Sequence, residues 1–409
     1  MNKYGITYQG SKNQIAEKII NALPCGNRFV DLFGGGFAMS HCALLSKKWN
    51  KVYYNELNPL LPELIQKALS GVYNPETFKP EWITREKFKE LKNKDGYIKY
   101  CWSFGTNGRH YLYSKEIEHW KKALHYARVF NDFSLFKQMG ITTDGSPLDI
   151  KAHFDEYKVK YIKWYLETIL KKPVNFEELK QNLDNKIKMQ KEDLRLYLCN
   201  ALKQAGLRPC DANKRLNTQM SGRYFSKSQW EFPTRETYEK MREFMPLDDY
   251  DKIYGCQELL DNIKNLKSLE SLQRLERLES LERLKEFDNL TINCGDYREY
   301  KYQEGDIVYC DPPYENTAGY REEDKKKTSF NSKEFYEWVR AADFPVYFSS
   351  YPIDEGFKKV LEVQKRSLLA NGSRDLKCET IYSNGVLLNN VINFTQGTAR
   401  QLSLNLSFT

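Results

Sequence analysis

Two stretches of alternating strand-like and helix-like pattern, held apart by a long segment of different character, constrain this chain most. Arg28–Phe33 is a short apolar run ending in Gly34-Gly35-Gly36, and Phe37–Lys47 then reads as a helix with Ala38, Cys42 and Leu45 on one side. Lys51–Glu56 reads as a second strand and Leu60–Leu69 as a second helix. Strand and helix alternating through short connections imply parallel βαβ units. The same grammar resumes near residue 288. Strands are expected at Leu290–Asn293, Asp306–Cys310, Val346–Ser350, Val360–Gln364 and Glu379–Ser383, with helical stretches such as Lys333–Ala341 between several of them. The intervening residues form Lys-, Glu- and Tyr-rich amphipathic helical segments with few strands. The expected architecture is one α/β domain, residues 1–90 and 288–409, interrupted by a largely helical insertion over 91–287.

Within that insertion, leucine recurs at every third position from Leu266 to Leu284, with only Lys, Ser, Glu, Gln and Arg between. A three-residue period lags an α-helix by about 60° per step, so the stripe winds around the helix instead of holding one face. The spacing fits neither a coiled-coil heptad nor a leucine-rich repeat. The expectation is a low-complexity segment, helical or mobile, outside the active site and without chemistry of its own.

The length of 409 residues allows a large core, and 41% apolar with 14% aromatic residues suits a folded, ring-handling protein. A formal charge of +8 permits a polyanionic partner without requiring one. Nine cysteines are scattered without a CxxC pair, and histidines number five. A disulfide framework and a metal site are therefore not indicated, and a reducing cytoplasm is expected. No apolar signal segment or membrane-length run is seen, so no membrane partner is expected.

Two constellations carry chemistry. The first is strand, glycine turn, helix: Asp31 and Gly34–Gly36 form a turn at which backbone N–H groups meet a small charged ligand. The next strand ends in Glu56, positioned for ribose hydroxyls. The pattern is not GxGxxG, and no Walker lysine appears, which disfavours NAD and ATP. A nucleoside ligand without a pyrophosphate, such as S-adenosylmethionine, fits better. Lys12, in Tyr8-Gln9-Gly10-Ser11-Lys12 ahead of a helix near Gln14, is placed to meet a ligand carboxylate. Asp296 and Tyr297 follow a strand where they could bound an adenine ring. The second constellation is the strand Asp306–Cys310 running into Asp311-Pro312-Pro313-Tyr314. A carboxylate and a carbonyl can each accept one hydrogen of an exocyclic amine, and an aromatic ring can lie on the base face. Two prolines stiffen the turn and remove two backbone donors.

Tyr8–Lys12, Phe29–Phe37, Asn55–Asn58, Gly295–Tyr297 and Asp311–Tyr314 together resemble the Dam-like DNA adenine-N6 methyltransferases, in the order that family shows. The resemblance extends weakly to Ser103–Arg109 and to Lys377–Ser383. It implies a Rossmann-like S-adenosylmethionine-dependent methyltransferase fold with an inserted target-recognition domain. Tyr8, Lys12, Asp31, Phe33, Gly35, Glu56, Asp296, Tyr297 and Asp311 would contact the cofactor or close its pocket. Asp311, Pro312 and Tyr314 would hold a target adenine rotated out of duplex DNA. Phe37 stands where the family usually has the last glycine of its turn. Either the turn shifts to Gly34–Gly36, or Phe37 packs under the cofactor.

Asn107, Arg109, Lys115 and Arg223 are the candidate DNA contacts, with Asn213–Gln219 and Ser221–Ser226 as further basic and polar stretches. The class further implies a bacterial cytoplasm, or a phage-encoded enzyme in a bacterial host. It needs no obligatory protein partner, although a companion restriction endonuclease is compatible with it. Competing readings are cytosine-N4, RNA or glutamine methylation, a non-catalytic nucleic-acid-binding module, and a dinucleotide-dependent oxidoreductase. Asp311 weighs against the cytosine and glutamine readings, and the missing pyrophosphate fingerprint against the last.

Overall fold

Apolar runs bounded by polar residues form strands buried on both faces. In the computed structural model, which describes residues 3–169, 191–217, 222–226, 230–250, 269–314, 330–353, 355–366 and 376–387, these runs build one sheet. Its strands are β1 (Arg28–Asp31), β2 (Lys51–Glu56), β3 (Leu290–Cys294), β4 (Asp306–Cys310), β5 (Val346–Ser350), β6 (Lys358–Arg366) and β7 (Leu376–Ser383). The order is β3-β2-β1-β4-β5-β7-β6. The first five pair in parallel, whereas β7 runs antiparallel to both β5 and β6. Every residue of β4 and β5 is buried. This is the open, mostly parallel sheet of a Rossmann-like fold.

Parallel neighbours need crossover connections, and helices supply them. The α1 helix (Ala16–Ala22) precedes β1, α2 (Ala38–Ser46) links β1 to β2, and α3 (Leu60–Leu69) follows β2. A helix over Ser332–Ala341 links β4 to β5. The one-sided pattern expected for α2 is not what forms. Ala38 through Leu44 is buried on every side, and Leu45 is 46% exposed. A helix apolar all round is a core helix, and Leu45 marks where it leaves the core.

The leucine repeat becomes a helix, Glu270–Leu281, followed by a 3-10 turn, Glu282–Glu286; Leu266 to Ser268 lie outside the described residues. The winding stripe is visible in the burial. Ser271, Leu275, Leu278 and Leu281 are buried at the four- and three-residue steps a helix requires, and Leu272 is only half-buried. Three residues make a full turn of 3-10 helix, so Leu284 realigns below Leu281 and is buried too. This helix packs against α3 and the short helix Gly96–Cys101. Arg274 Nη1 donates to the carbonyls of Tyr100, Cys101 and Ser103 at 3.2, 3.1 and 2.6 Å. The repeat is thus a packed wall of the sheet-bearing unit.

The chain divides into two compact units, Met1–Leu112 with Glu270–Thr409, and Tyr113–Leu269. Residues 91–112 and 270–287 therefore pack with the sheet. All strands named above belong to the first unit. The second unit is helical among its described residues. Its longest helix, Lys115–Phe130, buries Ile117, Trp120, Leu124 and Ala127 at helical spacing. Trp120 gathers Phe136, Phe154 and Tyr161 around it, with ring centroids 5.1, 5.9 and 5.4 Å away. A separate cluster joins Leu194, Leu198, Leu202, Phe232, Tyr238 and Met241. Among the described residues no helix is long and apolar enough to cross a membrane.

Candidate active site

From β1 the chain steps outward to β2 and β3, then returns beside β1 as β4. Ligands of open α/β sheets sit beyond the carboxyl ends of the strands at such a reversal. Those ends are Leu32–Phe37 and Asp311–Tyr314, the two segments that the sequence marks for chemistry.

The first segment is a tight turn whose Phe37 N–H donates to the Gly34 carbonyl at 2.9 Å. Phe37 sits in the left-handed region at φ 68° and leads into α2, with its ring fully buried 5.4 Å from that of Tyr54. The turn thus uses Gly34–Gly36, and Phe37 packs inward. A Cβ on Gly34 would lie 2.1 Å from the Tyr54 ring, and one on Gly36 2.5 Å from Tyr8 Cβ. Only glycine lets both aromatics close over the turn. The Gly35 N–H donates to Glu56 Oε2 at 2.9 Å, and the Asn58 N–H to Glu56 Oε1 at 3.0 Å. Burial raises the Glu56 pKa, against the pull of the Asn58 and Gly35 N–H groups.

Asp31, at the last position of β1, is 1% exposed. Its Oδ2 accepts the Ser40 hydroxyl at 2.8 Å, and Oδ1 has no hydrogen-bond partner among the described residues. Burial pushes its pKa up to about 7, with Ser40 opposing and the charges of Asp311 and Glu56 adding to the rise. A buried carboxylate oxygen without a donor is costly, so this atom fits a ligand that brings a donor or a positive charge.

The second segment closes on the first through Lys12. Its ammonium donates to Asp311 Oδ1 at 2.5 Å and lies 2.9 Å from Glu379 Oε1, with the lysine side chain 5% exposed. Burial works to discharge this lysine, but the carboxylates of Asp311 and Glu379 outweigh it and raise its pKa. Lys12 thus meets two protein carboxylates, and any ligand carboxylate would have to share it with them. The Ser349 hydroxyl donates to Asp311 Oδ1 at 2.7 Å. The Tyr314 hydroxyl donates to Glu379 Oε1 at 2.7 Å and lies 3.3 Å from Asp311 Oδ1. Lys12 Nζ stands 5.0 Å over the Tyr314 ring, and Tyr351 meets that ring with centroids 4.8 Å apart. Among the described residues, every hydrogen bond to the Asp311 carboxylate falls on Oδ1. Oδ2 remains for another donor. Pro312, the next residue, is buried.

Asp296 caps the short turn after β3 and forms a two-pronged pair with Arg298, Oδ1 to Nε at 2.9 Å and Oδ2 to Nη2 at 2.7 Å. That contact with Arg298 holds its pKa below the usual range. Tyr297 is buried against Phe33, 5.1 Å between ring centroids. Asn55 ties the ends of the strands together, donating to the carbonyls of Leu32 and Gly295 at 3.2 and 2.9 Å. Of the candidate DNA contacts, Asn107 accepts the Arg109 N–H at 2.8 Å within a turn of the sheet-bearing unit. Lys115 is exposed and opens the longest helix of the other unit, where Arg223 lies 3.9 Å from Glu231.

Residues 8–247 match the family of D12 class N6 adenine-specific DNA methyltransferases, which is more than half of the chain. The chain belongs to that family. It is an adenine-specific DNA methyltransferase, with DNA as its substrate and a donor that in this class is generally S-adenosylmethionine. No curated protein matches it. The matched span ends before Asp311–Tyr314, so that turn is argued from its own motif and geometry. The glycine turn, Glu56 and the unpartnered oxygen of Asp31 fit a donor carrying ribose hydroxyls and an ammonium. Sequence reasoning missed Glu379, Ser349 and Tyr100 as neighbours of this site, and carried Asn55 only within the Asn55–Asn58 resemblance. Tyr100 accompanies Tyr8 at 5.5 Å between centroids and accepts from Asn58 Nδ2 at 2.7 Å. The Lys377–Ser383 resemblance was the one available signal for Glu379.

Proposed function

We propose that this enzyme transfers the methyl group of S-adenosylmethionine to N6 of an adenine rotated out of duplex DNA, yielding N6-methyladenine, S-adenosylhomocysteine and the proton that N6 gives up. The observation that carries the reading is the Lys12–Asp311–Tyr314 cluster, set beyond the strand ends beside the glycine turn. When bound, the donor supplies a methyl on a positively charged sulfur.

The remaining work falls to the chain. An adenine amine is a weak nucleophile because its lone pair is delocalised into the ring. Asp311 Oδ2 and the Pro312 carbonyl each accept one N6 hydrogen, which favours a pyramidal nitrogen with its lone pair directed at the methyl. Lys12 and Ser349 hold Asp311 through its other oxygen, so the acceptor is pre-oriented before substrate arrives. The Tyr314 ring stacks on the base, a contact typically worth about 1–3 kcal/mol. Glu56 takes the ribose hydroxyls, Asp31 the ammonium, and Phe33 with Tyr297 bounds the adenine of the donor. Asn107, Arg109, Lys115 and Arg223 supply DNA contacts from both compact units, the second of which acts as the target-recognition domain.

Tritiated methyl transfer to unmethylated genomic DNA, followed by digestion to nucleosides, tests the reading. Label is expected in N6-methyladenine, and Asp311→Ala is expected to lower kcat by about 10²-fold or more. Tyr314→Ala is expected to raise KM for DNA and lower kcat. Label in N4-methylcytosine, or none in DNA while the donor still binds, would overturn the assignment of the target base.

A further inference from the structure

Glu379 is a charged residue buried at the site without a task in the transfer chemistry above. Its side chain is 5% exposed, and β7, antiparallel between β5 and β6, delivers it. One oxygen, Oε1, serves both Tyr314 and Lys12, at 2.7 and 2.9 Å. Lys12 is therefore shared between two carboxylates, Asp311 and Glu379, and the three charged groups carry one formal negative charge.

That surplus has a use. As the methyl leaves sulfur, positive charge moves onto N6, and preorganised negative charge beside it stabilises the transition state more than the ground state. If Lys12 faced Asp311 alone, the pair would be neutral and the amine would gain less. We propose that Glu379 is a positioning residue for methyl transfer: by sharing Lys12 with Asp311 and anchoring the Tyr314 hydroxyl, it keeps the cluster one charge negative and the stacking ring in place. This inference rests on the adenine-methylation reading.

Among the described residues, the surroundings of Glu379 come from several elements. Lys12 comes from the segment ahead of α1, and Asp311 and Tyr314 from the turn after β4. Tyr309 of β4 lies within electrostatic reach of Lys12. β6 places apolar Val363 beside Glu379 in the ladder, and its neighbours on β7 are Cys378 and Thr380. β5 contributes the uncharged Ser349 and Ser350, the latter beside Thr380. Removing the Glu379 charge leaves Lys12 and Asp311 as a formally neutral pair, so less negative charge faces N6 as the methyl arrives.

The test compares wild-type enzyme, Glu379→Gln and Glu379→Asp in kcat, KM for DNA and donor affinity. Glu379→Gln keeps the shape and the acceptor but loses the charge. It is expected to bind S-adenosylmethionine within about threefold of wild type and to lose roughly 10- to 100-fold in kcat per donor-binding molecule. Glu379→Asp, which restores the charge, is expected to recover part of kcat, and it decides the matter if the Gln variant fails to fold. A wild-type kcat in Glu379→Gln, a kcat loss matched by equal loss of donor-binding protein, or no recovery in Glu379→Asp would reduce Glu379 to a structural role and overturn the proposal. If the wild-type enzyme itself places no label in adenine, the underlying reading fails first, and the two failures are told apart.

Discussion

At the scale of single residues, Asp31 has the most informative titration. Its native pKa is raised from 3.8 to about 7, chiefly by burial. Between about pH 4 and pH 7 the native state then holds a proton that the unfolded chain has released, so ligand-free stability falls as pH rises through that window and levels off above it. His41 works in the opposite sense. Burial lowers its pKa from 6.5 to about 4 while its Nδ1 accepts the Gly5 N–H at 2.9 Å, so its contribution is lost as pH falls from about 6.5 toward 4. The two slopes oppose each other in wild type, and a variant separates them. Asp31→Asn is expected to remove the falling component, so that melting temperature relative to wild type rises between pH 4 and 7. If ionised Asp31 meets the ammonium of the donor, wild-type affinity for S-adenosylmethionine climbs as pH passes about 7. Asp31→Asn would weaken it about tenfold and flatten the dependence. Calorimetric titration at pH 6 and pH 8 checks both, and equal affinity across that range in wild type would release Asp31 from the binding site.

At the scale of elements, what could be read in advance follows burial. β4 and β5 are continuous apolar runs between polar ends and emerge at the expected residues. β6 and β7 extend beyond the expected Val360–Gln364 and Glu379–Ser383; β6 is the edge strand, where the exposed Lys358 and Lys359 are tolerated although composition does not announce it. The leucine repeat was legible as a winding stripe but not as a wall of the core, since α3 and the Gly96–Cys101 helix supply the surface it covers. Glu379 was the least legible site residue. Its role exists only once β7 has folded back beside the turn after β4, and Lys12 and Asp311 themselves lie 299 residues apart. One element-level contact gives a clean test. Arg28 and Asp306, paired in register at the start of β1 and β4, form a two-pronged ion pair at 2.8 and 2.7 Å, and Asp306 is 1% exposed. Breaking a buried pair leaves an uncompensated charge, so Arg28→Ala is expected to cost about 3–5 kcal/mol of stability in urea unfolding. The pair stands at the end of the strands opposite the site. Donor affinity per folded molecule is therefore expected to stay the same, and a stability loss under about 1 kcal/mol would mean that the pair is dispensable.

At the scale of the whole molecule, the surplus of eight positive charges is spread over a 409-residue chain, and its value to DNA binding depends on where it meets phosphate. Each phosphate neutralised releases counterions and adds about 0.9 to the magnitude of the slope of log affinity against log salt. The expected contacts lie in both compact units: Arg109 in the one that carries the sheet, Lys115 and Arg223 in the other. If both units grip the backbone, Arg109→Ala and Lys115→Ala are each expected to reduce the slope by close to one contact, and the double variant by the sum. A residue that reads a base edge behaves differently. Its loss costs about 1–3 kcal/mol at one position of the recognised site and relaxes specificity there, with little change in slope. Asn107 already accepts the Arg109 N–H within its turn. Its replacement therefore disturbs Arg109 as well, which makes Arg109→Ala and Arg109→Lys the cleaner pair: lysine preserves a phosphate contact and abolishes two-pronged base recognition. Fluorescence anisotropy on duplex DNA from about 50 to 200 mM salt decides among these outcomes. An unchanged slope in Lys115→Ala and Arg223→Ala together would remove those two residues from the expected DNA contacts and place the weight of backbone binding on the sheet-bearing unit.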